Sequence, residues 1–118
     1  MDNIHDVQSD TTIQLMTPEL LFLAQSGQPY RGTVYVEYIS NGRALDLIYF
    51  KKYITSLRSK KMWCEDIASE IYKTIDKQIE NCTIGVVVDL TGRGGIQQTI
   101  SYGKKIIPER NKNKIFQI

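Results

Sequence analysis

Between Thr33 and Ile39 the apolar side chains Val34, Val36 and Tyr38 alternate with Thr33, Tyr35 and Glu37, which predicts a strand with one buried face. The run Ser40-Asn41-Gly42-Arg43 follows. Asn-Gly between extended runs is a strong hairpin signal, so a second strand from Ala44 to about Ile48 is expected to pair antiparallel with the first. The period then changes. Phe50, Tyr53, Ile54 and Leu57 fall at i, i+3, i+4 and i+7, one face of a helix. Ser59-Lys60-Lys61 interrupts it, and a second helix is expected from about Met62 to Cys64 onward. Its stripe is Ile67, Ile71, Ile75 and Ile79, with Glu65, Asp66, Glu70, Lys73, Asp76, Lys77 and Glu80 mostly toward solvent. Asn81 closes that helix. From Thr83 to Leu90 alternation returns, with Ile84, Val86, Val88 and Leu90 on one face; Thr91 to Gly95 is a glycine-rich turn, and Ile96 to Tyr102 is a last strand.

The resulting order is ββααββ, an α+β fold in which a four-stranded antiparallel sheet buries one face under two helices. Its outer strands leave edges that must be covered or paired, so a closed homo-oligomer is expected, with the sheets joined into a barrel and the helices outside. Ahead of the first strand, Ser26-Gly27-Gln28-Pro29 is good turn chemistry. The first dozen residues are polar and expected to fray. The natural division is a polar segment 1–20, a domain 21–103 and a basic tail 104–118.

Composition narrows the class. The chain has 118 residues, 42% hydrophobic and 24% charged, which suits one domain with one core. No apolar run approaches the roughly 20 residues of a membrane span. The Met1-Asp2-Asn3 start lacks the basic and apolar regions of a secretion signal, so the expected compartment is the cytoplasm. Cys64 and Cys82, with the single histidine His5, make neither a disulfide framework nor a zinc site. The net charge is +2, and its excess gathers at Lys104, Lys105, Arg110, Lys112 and Lys114. That cluster reads as a solvated tail rather than a nucleic-acid contact.

Three features in register then resemble a known family: Ser-Gly-Gln-Pro before a strand, Glu-Asp opening the second helix, and Thr-Gly-Arg-Gly-Gly-Ile between the last two strands. They are similar to the NADPH-dependent 7-cyano-7-deazaguanine reductases (QueF) of the tunnelling fold, whose patterns run C-P-x-T-G-Q-P-D, E-S-K-S-x-K-x-Y, H-E-D and P-R-G-G-I. The resemblance runs from Leu23 to Gly103. It implies ligand sites at subunit interfaces and a purine-like, 7-deazaguanine-like or pterin-like ligand.

Carried over residue by residue, the resemblance divides. The family nucleophile falls on Leu23, which has no heteroatom, and the family acid falls on Tyr30, so no catalytic residue is assigned. The NADPH-associated segment falls on Asp46 to Tyr53; Lys51 and Tyr53 match, but Ile48 replaces a lysine, which makes NADPH doubtful and leaves no cofactor expected. Glu65 retains the family glutamate. One carboxylate can accept from the two adjacent N–H donors of a 2-amino-pyrimidinone edge, so Glu65 can bind without catalysing anything. Nitrile reduction through a covalent thioimide requires a thiolate, a proton donor and hydride, and Leu23 removes the first.

Each residue also has a plainer reading. Glu65 suits the positive end of a helix dipole. Arg93 fits a solvated turn as well as a ligand or oligomer contact. Trp63 and Tyr72 read as core rather than stacking platforms. Cys64 stands where the family has histidine, near a helix N-terminus where a thiolate is favoured; successive helical residues diverge by about 100°, so it need not face the same pocket, and it is kept as a ligand-binding candidate rather than a relocated nucleophile. The expected function is a ligand-binding protein of this family; the alternatives are an enzyme of 7-deazaguanine metabolism with altered chemistry, or the non-catalytic subunit of a hetero-oligomeric enzyme.

Overall fold

The computed structural model describes residues 3–93 and 96–106, without the side chains of Gly92 and Arg93. Six strands and two helices follow in the order β1 Ile4–Asp6, β2 Thr12–Leu23, β3 Pro29–Ile39, β4 Arg43–Leu45, α1 Leu47–Ser56, α2 Ile67–Gln78, β5 Thr83–Arg93 and β6 Ile96–Gly103. The main sheet is antiparallel with the spatial order β2-β3-β5-β6, and β1 pairs with β4 in a separate two-stranded sheet. The fold is thus α+β with ββααββ order in its main sheet. Its first hairpin, however, is not the one the alternation predicts.

The second strand of the expected hairpin pairs elsewhere. Both edges of β3 are occupied, by β2 on one side and β5 on the other, so the residues after Asn41-Gly42 cannot join it. Gly42 does turn the chain, at φ 115°. It delivers Arg43–Leu45 to Ile4–Asp6, and Leu47 already begins α1. The buried Tyr38 hydroxyl accepts from the Leu45 N–H at 2.9 Å, tying that excursion back to the core.

The N-terminal dozen residues are correspondingly not frayed throughout. Ile4–Asp6 forms a ladder, Asp10 N–H donates to the Ser40 carbonyl, and Ser40 N–H to the Thr11 carbonyl. Thr12–Leu23 is a full partner of β3. Its alternation is obscured because the register shifts between Thr17 and Leu20, at Pro18. A bulge on an edge strand is where a proline that cannot donate to the ladder is tolerated.

The rest follows the pattern. Ile67, Ile71, Ile75 and Ile79 are buried against Val34, Val36, Ile84, Val86, Val88 and Leu90. Each such side chain contributes on the order of 1.5–3 kcal/mol relative to exposure. Phe50, Ile54 and Leu57 bury the face of α1. The start of the second helix is a 3-10 turn, Cys64–Asp66, before α2 proper. Asn81 closes the helical segment at φ 66°. The glycine-rich stretch begins inside β5, which continues to Arg93 opposite Ile96. At Gly32 a Cβ would collide with the Asp89 carbonyl oxygen, so this β3–β5 crossing requires glycine. No helix among the described residues is long and apolar enough to cross a membrane.

The sheet face away from the helices is more polar. Glu37 accepts from Gln14 Nε2 at 2.6 Å and pairs with Lys104 at 2.9 Å. Those two hydrogen bonds, Gln14 first and Lys104 second, hold its carboxyl below the usual range. Of the basic C-terminal cluster, Lys104 and Lys105 are described; Arg110, Lys112 and Lys114 lie outside the described residues.

Candidate functional site

The turn Ala24–Gln28 joins β2 to β3, with Gly27 at φ 90°. It is closed by hydrogen bonds from Ala24 N–H to the Gln28 carbonyl and from Gly27 N–H to the Ala24 carbonyl. Leu23, half-buried at the end of β2, donates its N–H to the Lys60 carbonyl and accepts from Met62 N–H, both at 2.9 Å. This bridge pins the hairpin end to the segment that leads into the helix start at Cys64 and Glu65. Tyr30, second in β3, stacks on the fully buried Phe22 with ring centroids 5.2 Å apart.

Four side chains meet there. The Cys64 thiol donates to Gln98 Oε1 at 3.1 Å, and Gln98 Nε2 lies 3.5 Å from Glu65 Oε2. Tyr30 and Glu65 border the Cys64 sulfur and bear on its titration. Gln98 reaches this place because β6 sets it opposite Leu90, on the helix-covered face of the sheet.

The electrostatics follow from those contacts. Glu65 is exposed, and its own backbone N–H first, with Gln98 after it, holds its carboxyl below the usual carboxylate range. Cys64 is 7% exposed. Burial pushes its thiol up, and the neighbouring Glu65 pushes it further. A protonated, enclosed thiol is the opposite of an activated nucleophile. Trp63, read from sequence as core, is instead 63% exposed. It immediately precedes Cys64 and lies two residues before Glu65. Tyr72 is half-buried and packs edge-on against Tyr102 at 4.9 Å.

The residues matching the NADPH segment lie elsewhere. Asp46 caps α1, its carboxylate accepting from Tyr49 N–H at 3.1 Å. Tyr53 is turned toward α2, its hydroxyl 3.5 Å from the Glu70 carbonyl, and burial pushes it up to about 12. Lys51 is exposed in a groove of about 480 Å³ bordered by Met16, Glu19, Leu47 and Phe50. Leu47 and Ile48 beside it are 62% and 61% exposed. Lys51 and the adjacent Lys52 are both exposed. The backbone of Arg93 closes β5 opposite Ile96; its side chain lies outside the described residues. Among the described residues no group of three or more His, Cys, Asp or Glu side chains is placed to hold a metal ion.

Of the sequence candidates, the structure sets Cys64 and Glu65 beside Gln98, with Tyr30 bordering Cys64, and holds Leu23 by its backbone to Lys60 and Met62; Gln98 itself was not among the candidates. One signal was available: Gln98 is in phase with Ile96, Ile100 and Tyr102, a polar residue on an otherwise apolar face.

A sheet of this order under two helices defines the tunnelling-fold class, and the comparisons with known proteins narrow it. A family profile described as QueF-like protein matches residues 29–108. The NADPH-dependent 7-cyano-7-deazaguanine reductase of Sulfurimonas denitrificans is 33% identical over 92 residues, 77% of this chain and 74% of that protein. The enzyme of the same name from Wolinella succinogenes is 33% identical over 95 residues, 80% and 77%. The crystal structure of the archaeosine synthase QueF-Like in the apo form superposes with a TM-score of 0.75 at 22% identity, over 86% of this chain and 100% of that one. The chain belongs to the QueF-like family, whose named members act in 7-deazaguanine metabolism.

Proposed function

We propose that this protein binds a 2-amino-oxo ring of the 7-deazaguanine, purine or pterin type through Glu65 and does not reduce nitriles. The observation that carries the reading is the contrast within one site: an exposed carboxylate with the Gln98 amide beside it, next to a nucleophile position held by Leu23. The carboxylate supplies two acceptors for the ring's adjacent N–H donors, and the exposed Trp63, two residues before it in sequence, is the aromatic available for stacking. Tyr30 is engaged with Phe22 and Cys64, and has no thioimide to protonate. Cys64 does not replace the missing nucleophile, because burial and Glu65 both disfavour its thiolate.

The relatives named above depend on NADPH; here Ile48, in place of a lysine in the matching segment, argues that the cofactor is not used. The protein is further proposed to act in the cytoplasm as a closed homo-oligomer with the site completed at subunit interfaces. Light scattering should find one closed species, and a monomer at micromolar concentration would contradict the interface site.

Calorimetric titration with 7-cyano-7-deazaguanine, guanine and a pterin tests the anchor. Glu65→Gln sets an NH₂ against a ligand donor, so affinity should fall by about 30-fold or more. Glu70, expected in solvent, is half-buried and lies 3.9 Å from Lys60. The exposed Glu80 is therefore the better control. Equal affinities for wild type, Glu65→Gln and Glu80→Gln would leave Glu65 as a helix-start acid only.

A further inference from the structure

Gln98 touches both ends of the helix-start pair, and chemistry fixes which way its amide faces. An ionised carboxylate only accepts, so the Gln98 nitrogen must face Glu65. The amide oxygen then faces Cys64, which donates its S–H to it at 3.1 Å. Reversing the amide would set oxygen against carboxylate and N–H against S–H, which costs two contacts at once. The burial that keeps the Cys64 thiol protonated keeps this donor in place. Cys64 is therefore a positioning residue for Gln98.

The amide nitrogen carries two hydrogens, and the contact toward Glu65 is long at 3.5 Å. The site so presents two acceptor oxygens and, beside them, an oriented donor. A 2-amino-oxo ring presents the complement in a row: an exocyclic N–H, a ring N–H and a carbonyl oxygen. Resting on the reading of Glu65 as the anchor, we infer that Gln98 reads the ring's oxo group and selects oxo rings over those whose corresponding position accepts poorly.

6-Thioguanine isolates that contact, because it keeps both N–H donors and replaces the carbonyl oxygen with a weakly accepting sulfur. Calorimetry on the full-length protein compares guanine with 6-thioguanine for wild type, Gln98→Leu and Gln98→Ala, with melting by circular dichroism to verify that each variant folds. Wild type should prefer guanine by roughly 3- to 10-fold, the value of one neutral hydrogen bond, and both Gln98 variants should bring that ratio close to one. Cys64→Ala should lower the ratio and Cys64→Ser, which still donates, should restore it. Glu65→Gln should weaken both ligands together. A guanine preference that survives both Gln98 substitutions, while Glu65→Gln still weakens binding, overturns the role of Gln98 and leaves the anchor standing. Unchanged binding in Glu65→Gln, or no binding of either base by wild type, overturns both.

Discussion

Leu23 and Tyr30 end the β2–β3 hairpin; Cys64 and Glu65 open the helical segment leading into α2, and the Leu23 bridge to Lys60 and Met62 holds the two regions together. Their chemistry differs. The hairpin end offers an aliphatic chain and a phenol stacked on Phe22. The helix start offers an exposed carboxylate, and β6 lays the Gln98 amide beside it. Reaction at a nitrile requires a nucleophile aimed at one atom, whereas recognition requires only complementary donors and acceptors at the ring edge. A site can therefore lose the first region's chemistry and keep the second's geometry.

The comparison can be broken most severely at Phe22, which is fully buried and supports Tyr30. Phe22→Ala should cost about 3–5 kcal/mol in chemical denaturation. A loss below about 1 kcal/mol would mean that the hairpin end is not anchored as described. At the opposite end of the sheet, Tyr38→Phe leaves the Leu45 N–H without its buried acceptor. It should cost about 1–3 kcal/mol and leave ligand affinity unchanged; a drop in affinity would couple the two ends.

A smaller effect separates the cysteine from the catalysts it could be mistaken for. Because burial and then Glu65 push the Cys64 thiol up, its alkylation in a Cys82→Ser background should be slow at neutral pH, speed up as pH rises above the ordinary thiol range, and become faster in Glu65→Gln. Rapid labelling at pH 7 would restore Cys64 as a candidate nucleophile. The smallest effect lies on the far face of the sheet. Glu37 is held below its usual range in the folded state, so its contribution to stability is fully present above the unfolded value near 4.5 and fades as pH falls through the lower folded value. Glu37→Gln should flatten that part of the acid-stability curve, and an unaltered curve would remove Glu37 from the account of acid sensitivity.

What could be read from the chain follows the same division between periodic and non-periodic information. The stripe Ile67, Ile71, Ile75 and Ile79 and the alternation Ile84 to Leu90 each repeat long enough to declare their element, and all of those residues are buried. The segment Thr12–Leu23 hid because Pro18 and the bulge reset its phase. Asn41-Gly42 signalled a real turn but could not say which strand the chain would meet next, since that depends on β3 already having two neighbours. Glu65 was legible through the register of three short motifs. Gln98 belongs to no motif, and its meaning arises only when β6 lays it beside a helix start more than thirty residues earlier in sequence.

Binding separated from reduction is tested most directly by following NADPH absorbance with 7-cyano-7-deazaguanine at a concentration that saturates the protein by calorimetry. The expected result is a bound ligand and no NADPH consumption above the rate without protein. Turnover at about 1 s⁻¹ or faster, the range of ordinary enzymes, would contradict it and show that this site reduces a nitrile without a cysteine at position 23.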